Sequence, residues 1–256
     1  LLSACWGSFL HLCIVRIIKK ESIILPGSHC MNCEKTLNFF DNIPLFSWIL
    51  LKGRCRYCNK KISIGYLITE IITIIIFLFL GFIYLFDWVL VAYIFLCSFL
   101  IIGSGVDFQE RWIPDTVTVG LLFSGLLFSF LIPDLHAEMD RSSSLLDSFF
   151  GLIVGSSLLF IIGYIGKAIL RRDAMGMGDV KLLGAIGTFL GWHGVLFTIF
   201  FASVIALMFY IIKFLFFKET IETEIPFGPY LSAASVLWIL WGIDWFRTFT
   251  DSLILY

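Results

Sequence analysis

The feature that most constrains this chain is a series of apolar segments, each about 20 residues long, which is the length a helix needs to cross a bilayer. Hydrophobic residues make up 59% of the chain and charged residues 14%, a balance that excludes an ordinary water-soluble domain. The pattern predicts an all-α polytopic membrane protein with eight transmembrane helices, the sixth short and rich in glycine. The predicted spans are 2–18, 67–86, 88–106, 112–132, 148–169, 178–192, 194–217 and 229–247.

The distribution of basic residues predicts the orientation of these helices. If residues 19–66 are cytoplasmic, alternation across eight spans puts all of the 18 Lys and Arg residues on the cytoplasmic side except Arg141 and Arg247. Cytoplasmic loops carry the excess of basic residues in membrane proteins, so both termini are expected outside. The first span has no basic residues ahead of it and several behind it, and we therefore interpret it as a retained helix rather than a signal peptide.

One segment between the first two spans is long and polar enough to form a domain outside the lipid. Residues 19–66 contain two C-x-x-C pairs, Cys30 with Cys33 and Cys55 with Cys58. This spacing is typical of a tetrahedral zinc site with four thiolates, which is structural because no coordination position stays open for water. Two disulfides or free thiols are the alternative, but a cytoplasmic location favours metal. The basic residues nearby are explained by the membrane topology, so nucleic-acid binding is not predicted.

Two acidic residues stand at the ends of apolar spans. Asp107 follows the third span and Asp179 lies at the start of the sixth, each shortly after a Gly-x-Gly, and both fall on the predicted cytoplasmic side. Ionisable groups in such places are costly and indicate function. Two adjacent carboxyl groups can share one proton, so that one activates water while the other polarises a peptide carbonyl, as in aspartic proteases. The alternative is structural, with the two acids pairing with Arg111 and Lys181 as loop anchors.

Several sequence blocks in the same order resemble the type IV prepilin peptidases. They are GSFL at 7–10 with Arg16, the double C-x-x-C, DNIPLFSWILLKGRC at 41–55, Asp107 with Arg111 and the Ile113-Pro114-Asp115 triplet, GMGD at 176–179, and PFGPYL at 226–231. The resemblance implies an intramembrane aspartic protease of the GxGD type, with Asp107 and Asp179 as its catalytic pair. Asp115 matches a motif position, but an acid in a first helical turn is ordinary capping chemistry.

The resemblance also implies the substrates and a second activity. The protein is expected to cut the leader from type IV prepilins and type II secretion pseudopilins after a glycine at the cytoplasmic face of a bacterial inner membrane. It is then expected to methylate the new N-terminus with S-adenosylmethionine. Glu70 matches a family glutamate and is a candidate for that second reaction, with solvation at a helix end as the alternative.

The chain departs from the family pattern at His11, Ile17-Ile18, Met31 and Leu67, and none of these positions is an acid or cysteine of the predicted sites. Two other functions remain open: a peptidase without methyltransferase activity, and a zinc-stapled membrane adaptor without chemistry. Gly184, Gly187 and Gly191 leave one side of the sixth helix bare, which favours close helix packing over a substrate groove. The predicted domains are the first helix at 1–18, the zinc domain at 19–66 and a membrane peptidase domain at 67–256.

Overall fold

The fold is all-helical in a computed structural model that describes residues 2–25, 27–38, 41, 43–85, 87–136, 139–171, 175–217 and 226–242. Its contacts divide the chain into two units, Leu1–Phe82 and Ile83–Tyr256. The α-helices are α1 (Leu2–Lys19), α2 (Phe46–Leu50), α3 (Ile64–Tyr84), α4 (Trp88–Glu110), α5 (Asp115–Leu131), α6 (Arg141–Leu170), α7 (Met177–Phe217) and α8 (Gly228–Leu237). A 3₁₀ turn occupies Pro133–His136, and a π-helical turn, Trp238–Gly242, continues α8.

Within the described residues, five helices are long and apolar enough to cross a bilayer: α1, α3, α4, α6 and α7. Helix α5 is apolar but has 17 residues, and α8 with its π turn is shorter still. The five long helices overlap predicted spans. The last predicted span, 229–247, extends beyond residue 242 into a part of the chain outside the described residues.

The first unit places α1 against α3 and holds a polar segment between them. A methyl group built on Gly7 of α1 lies 2.9 Å from the Cα atom of Glu70 in α3, so the two backbones approach closely at this point. His11 bonds Thr69 at 2.9 Å, and its ring lies 4.0 Å from that of Tyr66. His11, one of the positions at which the chain departs from the family pattern, therefore helps to join the two helices.

Helix α7 is interrupted at Gly191, where the sequence predicts two spans. A straight helix of 41 residues is about 61 Å long, twice the hydrocarbon thickness of about 30 Å. Gly191 has φ 66° and ψ 179°, a conformation open to glycine but costly for other residues. A methyl group on Gly187 lies 3.0 Å from Cγ2 of Val195, and one on Gly194 lies 2.5 Å from Cβ of Leu190. Residues 177–190 and 192–217 therefore fold back against each other.

The first part of α7 packs against α6 through glycines on both helices. A methyl group on Gly151 would overlap the carbonyl oxygen of Gly187, and one on Gly155 lies 2.6 Å from that of Leu183. Gly184 meets side chains of α6 at 3.2 Å. Small residues permit this approach of backbones in lipid, where dispersion contacts are a main source of helix association. The contacts of Gly184 and Gly187 support the packing interpretation over the substrate groove.

Substitution of Gly151 by alanine tests this packing. The added methyl group meets backbone, which cannot move aside as a flexible side chain can, so α6 and α7 have to separate. We expect a loss of about 1–3 kcal/mol or more, measured as a lower thermal unfolding midpoint in detergent. Gly81→Ala in α3 is the matched control because, apart from its chain neighbours and the adjacent backbone of α3, no described atom lies within 4 Å of its added methyl group. Equal midpoints for the two variants would contradict the close contact.

Candidate active site

Asp107 lies in the last turn of α4 and is held there by backbone geometry. Arg111 ends the helix in the left-handed conformation with φ 59°, and its N–H donates to the carbonyl oxygen of Asp107. The Asp107 side chain is buried, with 4% of the residue exposed. Its Oδ2 accepts a hydrogen bond of 2.9 Å from the N–H of Gly228, the first residue of α8. An N–H group at a helix start is a suitable donor to a carboxylate.

Asp179 lies in the first turn of α7. Its N–H donates to the carbonyl oxygen of Gly176 at 3.2 Å, which starts the helix directly after the Gly-x-Gly. The Oδ1 atom is buried and has no hydrogen-bond partner in the described part of the chain. An unpaired buried carboxylate oxygen is costly, and such exceptions concentrate at functional sites.

Ile113, in the short connection between α4 and α5, contacts a glycine next to each of the two acids. Ile113 lies between α4 and α5, and its Cδ1 is 3.1 Å from a methyl group built on Gly228, the residue bonded to Asp107. Its Cβ is 3.2 Å from a methyl group built on Gly178, next to Asp179. The two carboxyl groups are near enough for their charges to interact. The fold thus brings the surroundings of the two acids together, although α5 and α6 lie between them in the sequence.

Lys181 has a different partner from the one that the anchor interpretation requires. Its Nζ lies 2.6 Å from Oδ1 of Asp115 in the first turn of α5, and both side chains are exposed. This ion pair joins the starts of α5 and α7 and contributes little to stability on its own. The anchor interpretation assigned Lys181 to Asp179, and the Lys181–Asp115 pair was not predicted.

Gly228 contacts Asp107, and the sequence assigned no role to this glycine. A methyl group on this residue lies 2.8 Å from Oδ2 of Asp107. Gly228→Ala is therefore expected to displace the carboxyl group and to slow any reaction it performs by about 10²-fold, as misplacements near 1 Å do. Ser235→Ala is the control, because it removes a 2.8 Å hydrogen bond to the carbonyl oxygen of Leu231 within α8 that involves neither Gly228 nor Asp107. A rate for Gly228→Ala equal to that of Ser235→Ala would contradict this role.

The two C-x-x-C pairs form two loops with the same backbone hydrogen bonds. In the first loop Cys30 N–H donates to Lys35 O at 3.0 Å, and in the second Cys55 N–H donates to Lys60 O at 2.9 Å. Glu34 and Asn59 take positive φ angles of 56° and 57° at equivalent positions. Each loop is closed by an isolated antiparallel bridge, His29 with Thr36 and Arg54 with Lys61. The two cysteine pairs therefore belong to two knuckles that share the same backbone conformation.

The four cysteines fit a tetrahedral metal ion. Their Sγ atoms all lie within 4.8 Å of one another, and those of Cys30 and Cys58 are 3.8 Å apart. Zinc–sulfur bonds of about 2.3 Å in tetrahedral geometry give sulfur–sulfur separations of about 3.8 Å. Hydrogen bonds from the N–H of Lys60 and from Asn32 help to lower the pKa of Cys58 to about 6, whereas burial and hydrogen bonds to the other cysteines raise the pKa of Cys33 to about 11, so a bound cation is needed to keep all four cysteines as thiolates. The cluster can therefore hold a metal ion with no open coordination position.

Comparison with known proteins identifies the family. Residues 1–84 match the bacterial peptidase A24 N-terminal domain, and residues 94–211 match the type IV leader peptidase family. A leader peptide-processing enzyme for type 4 prepilin-like proteins from Escherichia coli is 34% identical over 85% of this chain and 76% of its own length. The chain belongs to the type IV leader peptidase family. A prepilin leader peptidase/N-methyltransferase from Xanthomonas campestris is 32% identical over 93% of this chain and 88% of its own length.

Another prepilin leader peptidase/N-methyltransferase, from Pseudomonas aeruginosa, is 30% identical over 89% of this chain and 76% of its own length. No solved structure matches the chain significantly. The N-terminal match contains the four-cysteine cluster and the leader peptidase match contains both acids, whereas Gly228 lies outside both. This membership, with five long apolar helices, makes the chain a multi-pass membrane protein of the peptidase A24 family.

Glu70 is not solvated at a helix end, as one interpretation of the sequence had it. The residue is buried, with 4% exposed, and its Oε2 accepts a hydrogen bond of 2.8 Å from the N–H of Leu45, just before α2. The carboxylate therefore fixes the start of α2 against the second turn of α3. The solvation alternative is wrong because α1 and the chain just before α2 contact Glu70 and bury it.

Proposed function

We propose that this protein is an aspartic endopeptidase that removes the leader from type IV prepilins and type II secretion pseudopilins after a glycine. Two observations support the proposal: Ile113 contacts a glycine beside each acid, Gly228 beside Asp107 and Gly178 beside Asp179, and Oδ1 of Asp179 is buried without a hydrogen-bond partner among the described residues. The family supports the reaction, since relatives carry the name prepilin leader peptidase. A carboxyl pair needs no metal or histidine to hydrolyse a peptide bond.

The two acids divide the steps of hydrolysis between them. The ionised carboxylate takes a proton from water as the oxygen of that water bonds to the peptide carbon, and the protonated partner donates a hydrogen bond to the carbonyl oxygen. The tetrahedral species then breaks its C–N bond, and a carboxyl proton passes to the leaving amine. The two products are the leader with a C-terminal glycine carboxylate and the mature pilin with a new α-amino group. The proton belongs to the pair rather than to either residue.

The charge distribution supports cleavage at the cytoplasmic face of the bacterial inner membrane. With eight spans, α7 counts as two, and the fold-back at Gly191 supports that count. Both termini then lie outside, and the ends of α4 and α7 that bear the acids lie at the cytoplasmic face. A prepilin whose apolar helix lies in the bilayer presents its scissile bond at that depth.

The second reaction is methylation of the new α-amino group. Its nitrogen bonds to the methyl carbon of S-adenosylmethionine, the S–CH₃ bond breaks, and a proton leaves the nitrogen. Relatives named as N-methyltransferases support this activity. The four cysteines, Cys30, Cys33, Cys55 and Cys58, are proposed to hold a structural zinc ion, which contributes folding free energy and takes no part in either reaction.

Incubation of the purified enzyme with a prepilin and S-adenosylmethionine tests the function. Mass spectrometry is expected to find a mature pilin without its leader and with one added methyl group. Cleavage without the methyl group would leave a peptidase alone. An uncut prepilin would favour the adaptor and contradict the proposal, provided that both acids are intact and the protein is inserted.

A further inference from the structure

We propose that helix α2 lies in the surface of the bilayer leaflet at which α3 begins, and that a basic pocket beside it binds the phosphate of an anionic phospholipid headgroup. The pocket has a volume of about 480 Å³ and is lined by Trp48 of α2, by Ile64 at the start of α3, and by Lys52, Arg54 and Lys61 among others. The inference concerns a lipid site in the first unit and does not depend on the chemistry of the two acids.

The depth of α2 follows from its contacts with α3. The 21 residues of α3 span about 31 Å, so the helix needs its whole length to cross a hydrocarbon layer of about 30 Å. Leu45, just before α2, bonds Glu70, which lies about 9 Å along α3 from Ile64. Trp48 lines the same pocket as Ile64. Helix α2 therefore runs beside the first two turns of α3, at the depth where acyl chains meet headgroups.

The side chains that α2 leaves uncovered suit this depth. Phe46, Ile49 and Leu50 are 62%, 62% and 66% exposed, and the helix FSWIL has no charged residue. Three large apolar side chains on five residues form a contiguous exposed patch, which marks a membrane or protein interaction site in an extramembrane segment. Interfacial helices bury such a face about 5–10 Å into the headgroup and acyl boundary. Tryptophan, present here as Trp48, is enriched at the same level.

A second exposed apolar loop of the first unit lies at the same end of the helices. Ile24 and Leu25 are 84% and 72% exposed. The buried Arg16, near the end of α1, donates to the carbonyl oxygens of Ser22, Ile23 and Gly27 and so folds this loop back along the last turn of α1. The loop and α2 thus both offer apolar side chains where the chain passes between α1 and α3.

The pocket next to α2 is lined by three basic side chains and by no acidic one. Arg54 and Lys61 are bridge partners, and directly opposite residues place their side chains on the same face of the pair. Like charges in that position repel each other, and Lys52 adds a third. No ion pair to these three residues occurs in the described part of the chain, and no lining residue is acidic. A phosphate from the adjacent leaflet supplies the missing negative charge, because anionic lipids attract basic clusters at this surface.

Photo-crosslinking in lipid nanodiscs tests the location of α2. Benzoylphenylalanine replaces Phe46 in one variant and Tyr57 in a control, an aromatic residue that is 41% exposed in the second knuckle. The discs contain phosphatidylcholine and phosphatidylglycerol. We expect lipid adducts at position 46 at least about ten-fold above those at position 57, as for a face buried in the interface. Equal yields at both positions, or a protein adduct in place of lipid at position 46, would overturn the membrane location.

The lipid classes among the adducts at position 46 test the pocket. Phosphatidylglycerol is expected to exceed its share in the disc, and the Arg54→Gln/Lys61→Gln variant is expected to lose that enrichment while keeping total lipid adducts and zinc content. Unchanged enrichment in this variant would overturn the headgroup site. Zinc content reports whether the knuckles remain folded. If the double variant loses zinc as well as phosphatidylglycerol enrichment, the single Lys61→Gln variant replaces it. Unchanged phosphatidylglycerol enrichment in Lys61→Gln would then overturn the headgroup site.

Discussion

Replacing Asp179 by asparagine is expected to abolish removal of the leader while the protein still accumulates in the membrane. The carboxamide has nearly the shape of the carboxyl group but cannot take or give the proton, and the loss of such a group costs about 10²- to 10⁴-fold in rate. Asp107→Asn is expected to cost as much, since its carboxyl group is the other half of the pair. The measurement is the cleavage rate of a purified prepilin, followed by mass spectrometry.

Asp115→Asn is the matched control for both variants. Asp115 lies two residues from Ile113, in the first turn of α5, but it is exposed and its partner is Lys181. Because an exposed ion pair contributes little, cleavage is expected to stay within a few-fold of the original rate. Near-normal cleavage by either Asp107→Asn or Asp179→Asn would contradict the acid pair, and an equal loss in Asp115→Asn would extend the site to that residue.

Replacing Cys55 by serine is expected to release the metal and unfold the segment between α1 and α3. Cys55 is buried, and a structural zinc ion contributes about 10–16 kcal/mol to the folding of small domains at neutral pH. In the described residues between α1 and α3, the secondary structure is the five-residue helix α2 and the two knuckles, so the metal is expected to be a main source of the segment's stability. Metal analysis gives the zinc content, and limited proteolysis of residues 20–63 reports the unfolding.

Cys5→Ser is the control for the metal experiment. Cys5 is exposed on α1 and lies outside the cluster, so its variant is expected to keep one zinc ion per chain and resist the protease. Cys30→Ser is expected to behave like Cys55→Ser because it removes a ligand from the other knuckle. Stoichiometric zinc in both ligand variants would show that the metal sits elsewhere in the protein.

The sequence predicted the membrane helices better than their ends. The length of an apolar segment predicts only the part of a helix that lies in lipid, so it misses polar helix ends. Helix α6, for example, begins at Arg141, seven residues before the predicted span. The serines near the start of α6 form hydrogen bonds inside the protein, Ser144 with Ser129 and Ser148 with the backbone of Thr188. Hydropathy scores these serines as polar and does not record their partners, so the predicted span begins too late. The break in α7 was predicted within three residues of Gly191, because glycines and an apolar length sufficient for two crossings are visible in the sequence.

The candidate site was predicted in part. Asp107 and Asp179 stood out because acids next to apolar spans are rare, and the cysteines because their spacing is local. The hydrogen bond from Gly228 joins residues 121 positions apart, and such a contact leaves no periodic pattern. The Pro at the second position of α8 marks a helix start but not what the start faces. The solvation alternative for Glu70 failed for the same reason, since its partner Leu45 comes from a distant loop.

The central claim is that Asp107 and Asp179 act as one unit, and the cleavage rate of the double variant Asp107→Asn/Asp179→Asn tests it most directly. Residues of one catalytic unit are strongly non-additive, because removing the first already removes the reaction that the second serves. The double variant is therefore expected to cleave a prepilin no more slowly than the slower single variant. A rate reduced by the product of the two single losses would contradict the pair and show two independent contributions.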